Sequence, residues 1–261
     1  MGKTTARYLF ANWKMYLNYE ESVGLAKQLV KEAKKMSPNV TMTVFPSALA
    51  LATVAETLQK SSVSVGAQNT YWVQQGGCTG EVSAAMYKAV GAEYTLVGHS
   101  ERRHLFHETN HEVREKIEAA LAAGLTPVVC VGETRHERDD DKVEEVLEVQ
   151  LRAAFEEIAW PKDKPVIVAY EPVWAISKGT DPSAATPCEP VEASKAHKII
   201  EQFLRGLLPK AEIVLLYGGS VRPHNVDEYL RQPHVQGVLV GAASTKLEQW
   251  LEIIRAAETV A

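Results

Sequence analysis

Three side chains that can transfer protons or stabilise negative charge follow short apolar runs of the sequence. Glu171, His99 and Lys14 each stand two residues beyond such a run, and Pro172 prevents a helix from starting directly after Glu171. A carboxylate can remove a proton from carbon, while an imidazole and an ammonium group can stabilise the oxygen anion that results. These residue types therefore indicate proton transfer at a carbon next to a carbonyl group.

Small residues follow the last two apolar runs and indicate a phosphate site. These are the segments Gly218-Gly219-Ser220 and Gly241-Ala242-Ala243-Ser244. Small side chains leave backbone N–H groups accessible, which suits a bound phosphate. The substrate indicated is a small phosphorylated sugar, from which Glu171 removes the carbon-bound proton.

Each of these residues also has a simpler interpretation. A glutamate at a strand end often forms a cap or an ion pair, and a histidine among charged residues is often structural. A lysine at a rim is usually solvated, and a Gly-Gly pair usually marks a turn. The histidines at 104, 107 and 111, or the acids at 137–141, could hold a metal, although solvated helix faces are the simpler interpretation. The combination of the strand-end residues favours catalysis.

The elements that must position these residues alternate regularly along the chain. Eight β-like apolar runs are each followed by a segment with helical spacing of apolar residues, and no flexible linker interrupts the series. The sequence predicts an α/β fold, a single (β/α)8 barrel domain over residues 1–261, in which the carboxyl ends of all strands meet on one face. The predicted strands are 8–12, 40–45, 63–67, 94–97, 126–131, 166–169, 213–217 and 235–240, and the helices are 20–35, 47–59, 82–90, 109–123, 141–159, 190–208, 225–231 and 247–257.

Composition excludes several other classes of protein. The chain is 46% hydrophobic and 23% charged, and no apolar run is long enough to cross a bilayer. A net charge of −5 with scattered basic residues argues against nucleic-acid binding. The polar N-terminus does not resemble a secretory signal, and three widely spaced cysteines are typical of reduced thiols, so we expect a cytoplasmic protein without membrane contact.

Seven segments, in order along the chain, resemble the triosephosphate isomerase family. The resemblance implies a (β/α)8 barrel that interconverts dihydroxyacetone phosphate and glyceraldehyde 3-phosphate in glycolysis and gluconeogenesis, with no metal and no organic cofactor. The segments are Asn12-Trp13-Lys14-Met15, Gly66-Ala67-Gln68-Asn69, Thr79-Gly80-Glu81, residues 97–103, Cys130-Val131-Gly132-Glu133, residues 169–176 and Tyr217-Gly218-Gly219-Ser220-Val221.

The same resemblance implies a role for each matching residue. Glu171 is expected to be the base, His99 the electrophile and proton shuttle, and Lys14 with Asn12 the contacts to the substrate oxygens. Two further residues, Glu101 and Cys130, are expected to lie behind these groups. The backbone N–H groups expected to meet the phosphate are those of Ser177, Ser220, Gly241 and Ala242.

The loop after Glu171 departs from the family pattern. Small and polar residues fill most of 172–187, which is typical of a lid, but the segment is longer than usual in the family. Ser177 and Ala242 replace glycines that are common there. Because erythrulose phosphate isomerases resemble the same family and differ around the lid, they are an alternative, and a non-catalytic phosphate-binding barrel is another.

The segment 71–80 predicts contact with a second copy of the chain. It carries Tyr71, Trp72 and Val73 beside a Gly-Gly pair, which is unusual for a solvated loop. The family resemblance implies a homodimer in which Thr79 approaches the partner's active site.

Overall fold

A computed structural model describes residues 7–176 and 187–260, and it shows a closed barrel of eight parallel strands. Neighbouring strands follow the order of the sequence, and β1 pairs with β8 to close the ring. The predicted (β/α)8 barrel is therefore confirmed. The strands are β1 Arg7–Asn12, β2 Val40–Phe45, β3 Val63–Ala67, β4 Tyr94–Val97, β5 Thr126–Val131, β6 Val166–Tyr170, β7 Ile213–Tyr217 and β8 Gly237–Val240.

The strands read as continuous apolar runs because both of their faces are buried. Along β6, Ile167 and Ala169 point into the barrel, whereas Val168 and Tyr170 pack against the surrounding helices. This alternation follows from the two-residue period of a strand, and here neither face meets water. The barrel interior is filled by Phe10, Phe45, Leu96, Val128, Cys130, Ile167, Ala169, Val214, Leu216 and Leu239.

The outer layer consists of helices that begin at recognisable caps. Asn18 and Thr109 each form a capping box with the glutamate three residues later, which satisfies two backbone N–H groups that the helix leaves unpaired. The helices are α1 Tyr19–Ala33, α2 Ala48–Leu58, α3 Ala84–Ala89, α4 Ser100–Leu105, α5 Asn110–Ala122, α6 Arg135–Asp139, α7 Val143–Phe155, α8 Pro190–Leu207, α9 Val226–Leu230 and α10 Leu247–Thr259, with 3-10 turns at Val173–Ala175 and Ala242–Thr245.

Several predicted boundaries were wrong for local reasons. The helix predicted from residue 141 begins later because Asp141 has a left-handed backbone (φ 58°). It ends early because the backbone of Glu156 is extended (ψ 131°) and that of Glu157 is left-handed (φ 59°). The last strand begins at Gly237 because the N–H of Val235 bonds within the preceding turn. Helix α4, which is not among the predicted helices, begins three residues after the end of β4.

Within residues 7–176 and 187–260, no helix combines the length and the apolar character needed to cross a bilayer.

Candidate active site

A cleft of about 500 Å³ opens at the carboxyl ends of the strands and gathers most of the predicted site residues. Side chains that are distant in sequence meet there because each follows a different barrel strand. The predicted contact Ser177 lies outside the described residues. The walls of the cleft include Asn12, Lys14, Tyr16, His99, Glu171, Ile176, Gly218, Gly219, Ser220, Arg222, Leu239, Gly241, Ala242, Lys246 and Gln249.

Glu171 is the buried carboxylate of this cleft. Its backbone N–H extends the ladder of β6 by donating to the carbonyl of Val131 at 2.7 Å, so the side chain leaves from a fixed position. The side chain is only 2% exposed. One oxygen, Oε2, accepts a hydrogen bond from the backbone N–H of Ser100 at 2.8 Å, and the other, Oε1, lies 3.3 Å from Nε2 of His99.

His99 is the residue that caps helix α4. Its Nδ1 accepts a hydrogen bond from the backbone N–H of Glu101 at 3.2 Å. A ring nitrogen that accepts a hydrogen bond carries no proton, so the proton of the ring belongs to Nε2, which faces Glu171. His99 is therefore placed as a neutral donor pointing into the cleft.

Lys14 reaches the cleft from an uncommon backbone conformation. Its φ is +46, a left-handed value that non-glycine residues seldom adopt. The surrounding structure holds that turn: the N–H of Lys14 donates to Asn12 Oδ1 at 3.0 Å, and its carbonyl accepts from Gln68 Nε2 at 2.8 Å. Such strained residues cluster at functional sites.

The ammonium group of Lys14 pairs with Glu101 at the cleft rim. The distance from Nζ to Oε1 is 2.7 Å. Partial burial disfavours ionisation of Glu101, but the charge of Lys14, the hydrogen bond from its ammonium group and a contribution from His99 together outweigh that effect, and the pKa of Glu101 is lowered. Glu101 thus holds the side chain of Lys14 at the cleft rim.

The far end of the cleft is formed by backbone rather than by long side chains. A Cβ at Gly219 would lie 2.2 Å from the hydroxyl of Tyr217, and one at Gly218 would lie 2.8 Å from Cγ of Glu171. A Cβ at Gly241 would lie 3.4 Å from Cε of Lys14. The loop after β7 is therefore tightly packed at both glycines and approaches Glu171, whereas the loop after β8 approaches Lys14.

The comparison with known proteins agrees with this arrangement. A family model described as triosephosphate isomerase matches residues 7–257. The chain belongs to the triosephosphate isomerase family. Relatives named triosephosphate isomerase occur in Rhodopirellula baltica, with 41% identity over 94% of this chain and 95% of the relative, and in Syntrophotalea carbinolica, with 39% identity over 95% and 97%. A third, from Herpetosiphon aurantiacus, is 39% identical over 95% of this chain and 97% of its own length.

Glu133 has a structural place in this triosephosphate isomerase family member. It stands two residues beyond β5, at a strand end like Glu171, yet it is fully buried and does not line the cleft. It accepts hydrogen bonds from the hydroxyl of Tyr170 at 3.0 Å and from the indole of Trp174 at 2.8 Å, and it pairs with Arg138 at 3.3 Å. Glu133 thus anchors the residues that flank Glu171.

Cys130, expected behind the catalytic groups, lies in the barrel interior. Burial raises the pKa of its thiol well above the usual value, and the nearby carboxylate of Glu171 adds to the effect. The thiol therefore stays protonated and is inert as a nucleophile.

The backbone N–H of Ser220, which the sequence predicts to meet the phosphate, already forms a hydrogen bond within the protein. This N–H group donates to the carbonyl of Ala175 at 3.2 Å, so a phosphate must displace that carbonyl.

Sequence reasoning also missed Arg222 and Lys246, two basic residues in the cleft wall, because neither stands at the end of a strand. Among residues 7–176 and 187–260, no group of three or more His, Cys, Asp or Glu side chains is arranged to hold a metal ion.

Proposed function

We propose that the chain interconverts dihydroxyacetone phosphate and glyceraldehyde 3-phosphate, with Glu171 as the base. The observation that carries this proposal is the 3.3 Å approach of Glu171 Oε1 to His99 Nε2 inside a cleft whose opposite wall is glycine-rich backbone. Membership of the triosephosphate isomerase family supports the same substrate pair.

The chemistry follows from the positions of three groups. Glu171 takes the proton from the carbon next to the carbonyl group, and the electron pair of the broken C–H bond moves onto the carbonyl oxygen. His99 passes the proton of Nε2 to that oxygen and takes a proton back from the hydroxyl group on the neighbouring carbon, so the negative charge moves from one oxygen to the other, and the ammonium group of Lys14 offsets this charge in the enediolate. Glu171 then returns its proton to the carbon that carried the carbonyl group while the carbonyl group forms on the neighbouring carbon, which gives the isomeric product without a co-reactant.

The surroundings of these groups strengthen the proposed electrostatics. His99 and Glu171 are nearly buried, and a site that excludes water increases the effect of each charge on the transition state. Asn12, which is 4% exposed and bonded to the N–H of Lys14, would meet the substrate beside the ammonium group. Ser220, Gly241 and Ala242 would surround the phosphate, and Ser177 would join them from the lid.

We propose that the active unit is a homodimer, in which each chain forms a single domain over residues 1–261. In the arm 71–80, the rings of Tyr71 and Trp72 stack at 4.0 Å, and Thr79 is exposed. Met15, directly after Lys14, is 95% exposed, which is unusual for a large apolar side chain beside an active site. A partner's arm would cover it and bring Thr79 towards Asn12, Lys14 and His99. A monomeric mass by light scattering in a fully active sample would refute the dimer.

The reaction is tested by comparing three-carbon and four-carbon phosphates as substrates in deuterated water. We expect rapid turnover of the triose phosphates, with deuterium incorporated in the product at the carbon to which Glu171 returns the proton. A strong preference for erythrulose phosphate would instead assign the alternative isomerase. Binding of the phosphates without exchange or turnover would indicate a non-catalytic barrel. We place the activity in glycolysis and gluconeogenesis in the cytoplasm.

A further inference from the structure

Arg103 lies behind the catalytic pair and connects three separate segments of the chain. It belongs to helix α4, and its guanidinium donates from Nε to the carbonyl of Gly98 at 2.8 Å. One terminal nitrogen donates to the side-chain oxygen of Asn110 at 2.7 Å, and the other donates to the carbonyl of Cys130 at 3.4 Å. A planar guanidinium has a fixed geometry, so these three bonds fix the ends of β4 and β5 relative to each other.

The bond to Gly98 matters because Gly98 directly precedes His99. Its φ is +71, and an added Cβ would lie 2.8 Å from a terminal nitrogen of Arg103. The N–H of Gly98 donates to Glu108 at 3.0 Å, so charged side chains hold both polar groups of this turn. Glu108 in turn pairs with Arg102 at 2.6 Å and with Lys116. The direction in which His99 leaves β4 is thereby fixed by buried charges.

The charge of Arg103 also faces the base. Arg103, Ser100 and Glu171 border the same small void behind the cleft. Burial lowers the pKa of Arg103, whereas Cys130 and the carboxylates of Glu108 and Glu171 raise it, so a buried guanidinium lies opposite these groups. An arginine keeps its proton even when buried, and a nearby positive charge favours the ionised form of a carboxylate.

We propose that Arg103 is a positioning residue for the isomerase, one that holds the turn of His99 and places a positive charge behind the carboxylate of Glu171. This proposal rests on the proposed function only for the turnover readout. The groups that face Glu171 from the other elements are Nε2 of His99, the thiol of Cys130 and the backbone N–H of Ser100.

Two substitutions separate position from charge. Arg103→Gln removes the charge and most of the bonds, and we expect kcat to fall roughly 10²-fold with little change in KM, the effect of a misplacement of about 1 Å. Without the guanidinium, a positive charge behind the base is missing, so the acidic limb of the kcat/KM profile should move to higher pH. Arg103→Lys keeps the charge but cannot span Gly98 and Cys130, so it should retain the position of that limb while kcat falls about tenfold.

The controls exclude a merely structural effect. Arg152→Gln, at an exposed arginine of α7, should leave kcat and the pH profile at wild-type values. If Arg103→Gln does not fold, Asn110→Ala loosens Arg103 without removing its charge, and it should lower kcat with the acidic limb unmoved. Wild-type kcat and pH profiles in Arg103→Lys and Asn110→Ala, accompanied only by lower melting temperatures, would overturn the proposal.

A second readout does not depend on turnover. Nitrogen-15 NMR of His99 should show altered ring signals in Arg103→Gln but not in Arg152→Gln, because Arg103 bonds to the preceding turn and Arg152 does not. Unchanged signals in a folded Arg103→Gln protein would contradict the positional role. Absence of isomerisation by the wild-type protein would refute the proposed function alone.

Discussion

Replacing Glu171 by aspartate tests the position of the base without removing its charge. The substitution shortens the side chain by one carbon–carbon bond, about 1.5 Å. In the wild-type protein, Oε2 of Glu171 lies 2.8 Å from the backbone nitrogen of Ser100, and Oε1 lies 3.3 Å from Nε2 of His99. Retraction by that length moves both contacts beyond hydrogen-bonding distance, so an aspartate loses its anchor and its reach to the substrate carbon.

The expected loss follows from this displacement. A misplacement of about 1 Å lowers a rate by roughly 10²-fold, so kcat of Glu171→Asp should fall at least that far, which corresponds to about 2.7 kcal/mol in the activation free energy. KM should change little because Lys14 and the backbone of the glycine-rich loops are untouched. The assay is steady-state conversion of glyceraldehyde 3-phosphate, with binding of glycerol 3-phosphate measured separately by calorimetry.

The matched control is Glu156→Asp, which shortens an exposed glutamate on the outer surface by the same bond. It should leave kcat at the wild-type value. If Glu171→Asp retained kcat to within about threefold while binding glycerol 3-phosphate normally, Glu171 would not be the base.

Three further outcomes follow from the geometry. Gly218→Ala places a Cβ 2.8 Å from Cγ of Glu171, so kcat should fall about tenfold or more with the fold retained, and an unchanged kcat would show that the carboxylate is not confined there. Burial lowers the pKa of His197 to about 4 from 6.5, so its contribution to stability is complete above pH 6.5 and is lost as the pH falls towards 4, about 3 kcal/mol in all. Urea unfolding at several pH values measures this loss, which should persist in the exposed-site variant His136→Gln and shrink in His197→Gln. Nitrogen-15 NMR at neutral pH should show His99 neutral with its proton on Nε2, and an imidazolium signal would contradict the donor role.

The barrel could be predicted from the sequence because strands that are buried on both faces appear as continuous apolar runs. Segments such as 126–131 and 213–217 contain almost no polar residues, and the structure places strands at these same bounds. The glycines at 91 and 124 follow helices and have left-handed backbones, as expected of residues that end a helix. Because the carboxyl ends of all barrel strands lie on one face, the residues that follow these strands can be predicted to lie close together.

The remaining features depend on contacts that sequence spacing does not encode. Glu133 stands at a strand end like Glu171, but the hydroxyl of Tyr170 and the indole of Trp174 turn its carboxylate away from the cleft. The left-handed turn at Lys14 is held by Gln68, which lies on a different loop. The bond from Ser220 to the carbonyl of Ala175 likewise joins distant segments.

Closure of the ring has a consequence for synthesis of the chain. Strand β1 finds its second neighbour only in β8, which is translated after the other seven strands. Until Val240 has left the ribosome, Arg7–Asn12 has an open edge, and apolar residues such as Leu9 and Phe10 lack their final cover. A nascent chain paused before that point offers a ready target to chaperones that bind extended apolar segments, and it cannot yet assemble a working catalyst.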